Sequence, residues 1–140
     1  MIIIDATDLV LGRLATYAAK EALLGKEIRI INCEKAVISG KKKNVFDEYL
    51  HRMERGIPRK GPFVHRMPDK LVRRTVRGMI PYKKARGKEA YKKIFCYVGV
   101  PEEFKDKKAV TVEGANISKL PTLKSVDLKT LSKRLGAKIE

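Results

Sequence analysis

The feature that most limits the fold of this chain is a strand–helix–strand pattern in its first 32 residues. Residues 2–4 are three isoleucines, a β-branched run that favours a buried strand, and residues 28–32 form a second apolar run. Between them, leucines and alanines recur at helical spacing from Leu11 to Ala22, and Gly25 lies where such a helix would end. Strands joined through a helix are usually parallel neighbours in one sheet, so the pattern predicts a βαβ unit.

The rest of the chain continues this alternation of helices and strands. We predict helices near residues 45–53, 68–78, 87–93 and 127–135, a strand at 94–98, a minor strand at Val110 and Val112, and a cap for the first helix at Thr7 or Asp8. Residues 56–68 are rich in proline and glycine without hydrophobic periodicity, which indicates a loop. A length of 140 residues suits one domain. The expected fold class is α/β, a single domain over residues 1–140 with a mostly parallel central sheet flanked by helices and a basic loop–helix extension.

The charge of the chain is concentrated in one segment. There are 32 Lys and Arg against 16 Asp and Glu, a formal net charge of +16. Residues 41–93 hold 18 basic and 5 acidic side chains, net +13, whereas residues 1–40 hold five of each. A charge run is often only a solvated face, but this concentration favours a polyanionic partner, because each neutralised phosphate releases counterions.

A basic stripe marks the predicted helix at 68–78. Its members, Lys70, Arg73, Arg74 and Arg77, follow one another at i, i+3, i+4 and i+7, which places them on one face of a helix. Four like charges in a row repel each other, and a bound anion would offset this repulsion. Arginine binds phosphate with two parallel hydrogen bonds, so the stripe predicts a phosphate-binding surface.

RNA is favoured over DNA, because the sequence has no helix-turn-helix, basic-zipper or zinc-finger pattern. Side chains that could stack on bases, or else pack in the core, lie among the basic residues: Tyr49, His51, Phe63, His65 and Tyr82. Gly12 and Arg13 at the start of the first helix leave two interpretations open. A helix N-terminus that carries an arginine can bind phosphate. Alternatively, Gly12 permits close packing and Arg13 is simply solvated. The candidate RNA-binding residues are Arg13, Arg52, Arg55, Arg59, Lys60, Arg66, Lys70, Arg73, Arg74, Arg77, Lys83, Lys84 and Arg86.

An enzyme using Cys33 is the main alternative, because α/β proteins often place active sites at the carboxyl ends of strands. A phosphatase-like cysteine needs an arginine six residues further on, but Ser39 follows Cys33 at that distance and Glu102 follows Cys96. Phosphate-loop, dinucleotide-binding, serine-hydrolase and zinc-protease motifs are also missing. The sequence predicts no catalytic residue and no cofactor, and it favours an unreactive, buried Cys33.

The sequence carries no signal for a metal, a membrane or secretion. His51 and His65 lie in the basic segment without neighbouring cysteines, so we expect no metal site. The first residues lack the pattern of a secretory leader, and no apolar stretch approaches the length of a membrane span. We expect a cytoplasmic protein with reduced thiols, no membrane partner and no small-molecule substrate.

An ordered series of motifs resembles the universal L13 family of large-subunit ribosomal proteins. The most specific stretch is 76–81, which reads Val-Arg-Gly-Met-Ile-Pro, and the series as a whole covers roughly residues 1–101. The other motifs are Asp5 with Ala6, residues 12–15, Leu23 and Leu24 with Gly25 and Lys26, residues 31–34 and 38–40, Gly61 with Pro62, Arg66, Pro68, and Tyr97 with Gly99 and Pro101.

This resemblance implies an α/β fold with a parallel sheet, binding to large-subunit rRNA, early participation in subunit assembly, neighbouring large-subunit proteins as partners and no catalytic residues. Carried over by motif, the RNA contacts are the basic residues of the loop at Gly61 and the helix end at Arg77 and Gly78. The chain resembles archaeal members most, since it lacks both the bacterial extension before Asp5 and the eukaryotic C-terminal extension. An RNA-binding regulator acting off the ribosome remains a further alternative.

Overall fold

The β-branched runs of the sequence form the strands of a parallel sheet. A computed structural model describes residues 1–139 of the chain. Within that range the strands are β1 (Ile2–Asp5), β2 (Ile28–Ile31), β3 (Val37–Ser39), β4 (Ile94–Cys96) and β5 (Ser125–Asp127). The helices are α1 (Leu11–Leu23), α2 (Lys42–Glu54), α3 (Pro68–Gly78), α4 (Ala85–Lys92) and α5 (Leu128–Arg134).

The central sheet has the order β1-β2-β4, with both neighbouring pairs parallel. Successive strand residues point to opposite faces, so one isoleucine run supplies two layers of core. Ile4 is fully buried in the main core, beneath α1 and α3, whereas Ile3 packs on the other face against Phe104. The predicted mostly parallel α/β domain is confirmed.

The C-terminal segment completes the core. Strand β5 pairs antiparallel with β3, from Val37 opposite Asp127 to Ser39 opposite Ser125, and forms a second, small sheet. Helix α5 then buries Leu128 and Leu131 completely in the main core. This small sheet was not predicted from the sequence.

Two local predictions were wrong. Neither Thr7 nor Asp8 caps the first helix, because Val10 is the residue that precedes it and valine has no polar side chain to accept a hydrogen bond. Thr7 instead donates its N–H and hydroxyl to the carboxylate of Asp5 in a turn after β1. Val110 forms a single parallel bridge with Ile4 and no strand, since the pairing does not extend past that residue.

The fold places the basic segment on one side of the sheet. The segment comprises α2, the loop after it, α3 and α4, and α3 packs against both α1 and β4. None of the helices within residues 1–139 is long and apolar enough to cross a membrane.

Candidate nucleic-acid interface

Helix α3 presents the basic stripe because its apolar and charged residues occupy opposite faces. Pro68 is the first helical residue, where a missing N–H costs nothing, and Leu71, Val72 and Val76 are buried. Arg74 is exposed on the opposite face. The predicted helix bounds at 68–78 and the amphipathic pattern are both confirmed.

Two arginines of the stripe lie over tyrosine rings. The guanidinium carbon of Arg73 is 4.6 Å from the ring centre of Tyr91, and that of Arg77 is 4.7 Å from the ring centre of Tyr82. Stacking of this kind holds a guanidinium in place and leaves its edge free to donate hydrogen bonds. The Arg73 Nε–H is buried and has no hydrogen-bond partner within the described residues.

The loop after α2 closes on itself and exposes two basic residues at its tip. The Ile57 N–H donates to the Gly61 carbonyl at 3.3 Å, and the Gly61 N–H donates to the Ile57 carbonyl at 2.9 Å. Gly56 has a φ of +83°, and a Cβ there would lie 1.9 Å from the Gly61 carbonyl oxygen, so only glycine fits. Arg59 and Lys60 are exposed between these contacts.

The end of α2, the loop and α3 meet in two adjoining depressions. Arg52 and Arg55 line the first and Lys70 lines the second, while His65 and Arg74 line both. The shared side chains make the two depressions one continuous face. We call this face the basic surface, and its basic members are Arg52, Arg55, Lys70, Arg73, Arg74 and Arg77.

The remaining candidate residues lie around the basic surface. Lys83, Lys84 and Arg86 are exposed on the turn between α3 and α4 and at the start of α4. Arg13 lies in the first turn of α1, where it is exposed and donates to the Gly114 carbonyl at 3.3 Å. Arg59 and Lys60 are exposed at the loop tip, and the Arg66 guanidinium lies near Gly136 after α5. The two depressions therefore bring six of the thirteen candidates together, and the other seven lie on adjoining segments.

Ion pairing leaves the basic surface almost uncompensated. Within residues 1–139 the only ion pair that includes a member of the surface is Arg52 with Glu48, one helical turn apart. Unpaired like charges raise the free energy of the isolated fold, and a polyanion that binds there relieves the repulsion.

Two residues of the surface were missed in the sequence analysis. Tyr91 supports Arg73, and Thr75 contributes to the lining of the first depression. Tyr91 carried a usable signal, an aromatic side chain within the basic segment, but its contact with Arg73 depends on how α4 packs against α3.

The strand end that could have held an enzyme site is filled by structural contacts. Cys33 is fully buried with its Sγ 3.6 Å from the Ile30 carbonyl, and a hydrogen bond with Cys96, together with burial, raises the pKa of the Cys33 thiol well above its ordinary value. A raised pKa disfavours the reactive thiolate. The Glu34 carboxylate accepts from the Gly99 N–H at 2.9 Å and so satisfies a backbone group at this strand end.

The side-chain amide of Asn32 donates to the Asp5 carboxylate at 3.0 Å. Among residues 1–139, no group of three or more His, Cys, Asp and Glu side chains is arranged to hold a metal ion.

Comparison with known proteins identifies the family. A sequence model described as Ribosomal protein L13 matches residues 1–103. The large ribosomal subunit protein uL13 of Methanococcoides burtonii is 46% identical over 138 residues, which cover 99% of both chains. The protein of that name from Methanosphaera stadtmanae is 49% identical over 140 residues, covering 97% of both, and the one from Methanosarcina barkeri is 45% identical over 139 residues, covering 99% of both.

The relatives named above are archaeal, as the resemblance predicted, and their likeness extends past the family match to the C-terminal segment. The ordered motifs, the α/β fold and these matches agree, and the chain belongs to the ribosomal protein L13 family, a family of structural proteins and not of enzymes.

Proposed function

We propose that this chain, a structural constituent of the large subunit of the cytoplasmic ribosome, binds and stabilises large-subunit rRNA through the basic surface. The observation that carries the proposal is the continuous face formed by α2, the loop and α3, on which five of the six basic side chains have no acidic partner within residues 1–139. Large-subunit rRNA and neighbouring large-subunit proteins are the expected partners.

Phosphate neutralisation supplies most of the binding free energy in this proposal. Each phosphate contact releases condensed counterions, so affinity falls steeply as salt rises. Arg73 and Arg77 are held by tyrosine rings, which lowers the conformational entropy lost when they bind phosphate. Arg59 and Lys60 are exposed at the tip of the loop after α2 and add two positive charges to the same segment.

Early participation in subunit assembly belongs to the same proposal. A protein that binds only the folded form of an RNA segment stabilises that form by mass action. If the basic surface needs no other protein in order to recognise rRNA, this protein can bind rRNA before the other subunit proteins do. It should then also bind deproteinised rRNA.

The first experiment is co-sedimentation with large subunits from the source cell at rising salt, followed by binding to deproteinised large-subunit rRNA. The variant Arg73→Gln/Arg74→Gln/Arg77→Gln should bind rRNA more weakly at low salt, and its plot of log affinity against log salt should be shallower by about three phosphate contacts.

The matched control is Lys105→Gln/Lys107→Gln/Lys108→Gln. It removes the same charge from the segment that covers the opposite face of the sheet, where Phe104 packs. Equal losses in both variants would show that net charge alone drives binding and would contradict a dedicated surface. Absence of the protein from large subunits, with RNA binding retained, would favour a regulator acting off the ribosome.

A further inference from the structure

The first of the two depressions has the size and lining of a site for one small planar group. Its volume is about 290 Å³, near the lower limit of small-ligand sites. It lies between the end of α2, residues 62–65 and α3, and Phe63, Tyr49, Arg55, His65 and Arg74 contribute to its lining. We call it the Phe63 pocket.

Phe63 is the unusual member, because an apolar ring of this size is normally buried. It is 74% exposed. Its ring lies against Gly61, since a Cβ added to this glycine would be 3.1 Å from the nearest ring carbon. Among residues 1–139 the ring takes part in no aromatic pair and no cation–π contact. An exposed phenyl ring at the mouth of a pocket offers a stacking platform.

The rim of the Phe63 pocket is positively charged. Arg55 and Arg74 are exposed and form no ion pair within residues 1–139, and no carboxylate lines the pocket. Arg52 is held at the edge by Glu48 and by the ring of Tyr49, whose centre is 5.0 Å from the guanidinium carbon. The occupant therefore has a flat apolar face and carries negative charge close to it.

We infer that the Phe63 pocket binds a single unpaired nucleotide of rRNA. Its base stacks on Phe63, and Arg55 and Arg74 hold its phosphates. A bare phosphate would leave Phe63 exposed, and a paired base cannot enter, because its faces are covered by neighbours in the helix. An unpaired, extruded nucleotide satisfies both the ring and the arginines. This inference rests on the proposed function, since it assigns one contact within the same surface.

The polar groups inside the pocket suit a base edge without selecting one base strictly. The Thr75 hydroxyl donates to the Leu71 carbonyl at 2.9 Å, which leaves its oxygen as an acceptor. The exposed imidazole of His65 adds a further hydrogen-bonding group. Stacking tolerates any base, so recognition here depends mainly on the nucleotide being unpaired.

Fluorescence provides a direct test, because the chain contains no tryptophan. Phe63→Trp introduces one reporter at the stacking position, and the probe is deproteinised large-subunit rRNA. We expect this variant to lose most of its tryptophan emission when rRNA binds, since a stacked base quenches indole. Leu123→Trp, at a fully exposed residue in the loop before β5, is the control, and its emission should hardly change.

Affinity measurements separate the base contact from the phosphate contacts. Phe63→Ala should weaken rRNA binding by about 5- to 150-fold at every salt concentration and leave the salt slope unchanged. Arg74→Gln should instead reduce that slope by about one phosphate contact. Phe63 is mostly exposed, so the thermal midpoint of Phe63→Ala should equal that of wild type.

The outcomes distinguish this inference from the proposed function. Unquenched tryptophan emission from the Phe63→Trp variant, together with wild-type affinity of Phe63→Ala, would overturn the nucleotide pocket, while the salt slope of Arg74→Gln would still support rRNA binding. Quenching that requires other large-subunit proteins would assign the pocket to a protein partner and also overturn it. Failure of the wild-type protein to bind rRNA would overturn the proposed function itself.

Discussion

Asp5 joins the ends of two neighbouring strands through a single carboxylate oxygen. This oxygen accepts hydrogen bonds from the Thr7 N–H at 3.0 Å, the Thr7 hydroxyl at 2.7 Å and the Asn32 amide at 3.0 Å. Burial disfavours the ionised carboxylate, but the hydrogen bonds outweigh it and hold the pKa of Asp5 below its ordinary value. The ionised form is thus part of the folded structure near neutral pH.

The variant Asp5→Asn should lower the free energy of unfolding at pH 7 by about 1–3 kcal/mol, because an amide is a weaker acceptor for these donors. The unfolded pKa is about 3.9 and the folded pKa lies below it. The contribution of the carboxylate is therefore complete above pH ~4 and is lost as pH falls through the folded pKa. Urea unfolding at pH 7 and in steps below pH 4 measures both effects.

The matched control is Asp8→Asn, an exposed carboxylate in the same turn with a φ of 55°, a conformation that asparagine also adopts. Its stability at pH 7 should match that of wild type. A gap between wild type and Asp5→Asn that persists unchanged to the lowest pH would contradict the assigned role of the charge.

Helix α5 is short, but it packs in the main core of the domain. It has seven residues, begins with the Asp127 carboxylate accepting from the Thr130 N–H at 2.9 Å, and buries Leu131 completely. It packs against the turn after β2 and against α3, which carries the basic stripe. The segment beyond the family match is therefore part of the core that supports the basic surface.

Leu131→Ala should lower the free energy of unfolding by about 2–5 kcal/mol, because it leaves a cavity at a fully buried position. Lys133→Ala, exposed on the same helix, should change it by less than about 0.5 kcal/mol. Chemical denaturation of both variants checks the difference. Equal stability of the two would mean that α5 unfolds separately from the core.

Among the helices and strands, the sequence predicted those that have a local pattern of apolar and polar residues. Helix α3 was predicted at its observed bounds, because Pro68 fixes its start and the apolar and basic residues alternate with helical period. Strand β5 has one buried residue, Val126, and pairs with β3 across a long stretch of chain. A three-residue strand of this kind depends on tertiary pairing, so no local pattern could reveal it.

At the level of the whole molecule, charge could be predicted and contacts could not. The excess in residues 41–93 is a property of composition, and it correctly directed attention to the elements that form one face. The support of Arg73 by Tyr91 depends on α3 and α4 packing together, and the Phe63 pocket depends on three elements meeting. No pattern of residue spacing in the sequence predicts either arrangement, because each one brings together segments that are distant along the chain.

The same concentration of charge makes the isolated protein sensitive to salt. Repulsion across the basic surface acts over a Debye length, which falls from about 30 Å at 0.01 M salt to about 3 Å at 1 M. We expect the thermal midpoint of the wild-type protein to rise by roughly 2–5 °C as sodium chloride is increased over this range, because screening removes about 1 kcal/mol of repulsion. Calorimetry without RNA measures this rise.

The variant Lys70→Gln/Arg74→Gln isolates the cause, because both side chains are exposed and unpaired within the described residues. Its midpoint at low salt should exceed that of wild type, and its rise with salt should be smaller. Lys105→Gln/Lys108→Gln removes equal charge outside the basic surface and should keep the wild-type response. An identical response in both variants would mean that the repulsion is spread over the molecule. A smaller rise of the midpoint with salt in Lys70→Gln/Arg74→Gln alone would mean that the surface proposed to bind rRNA destabilises the free protein. Binding and folding would then be coupled through the same charges.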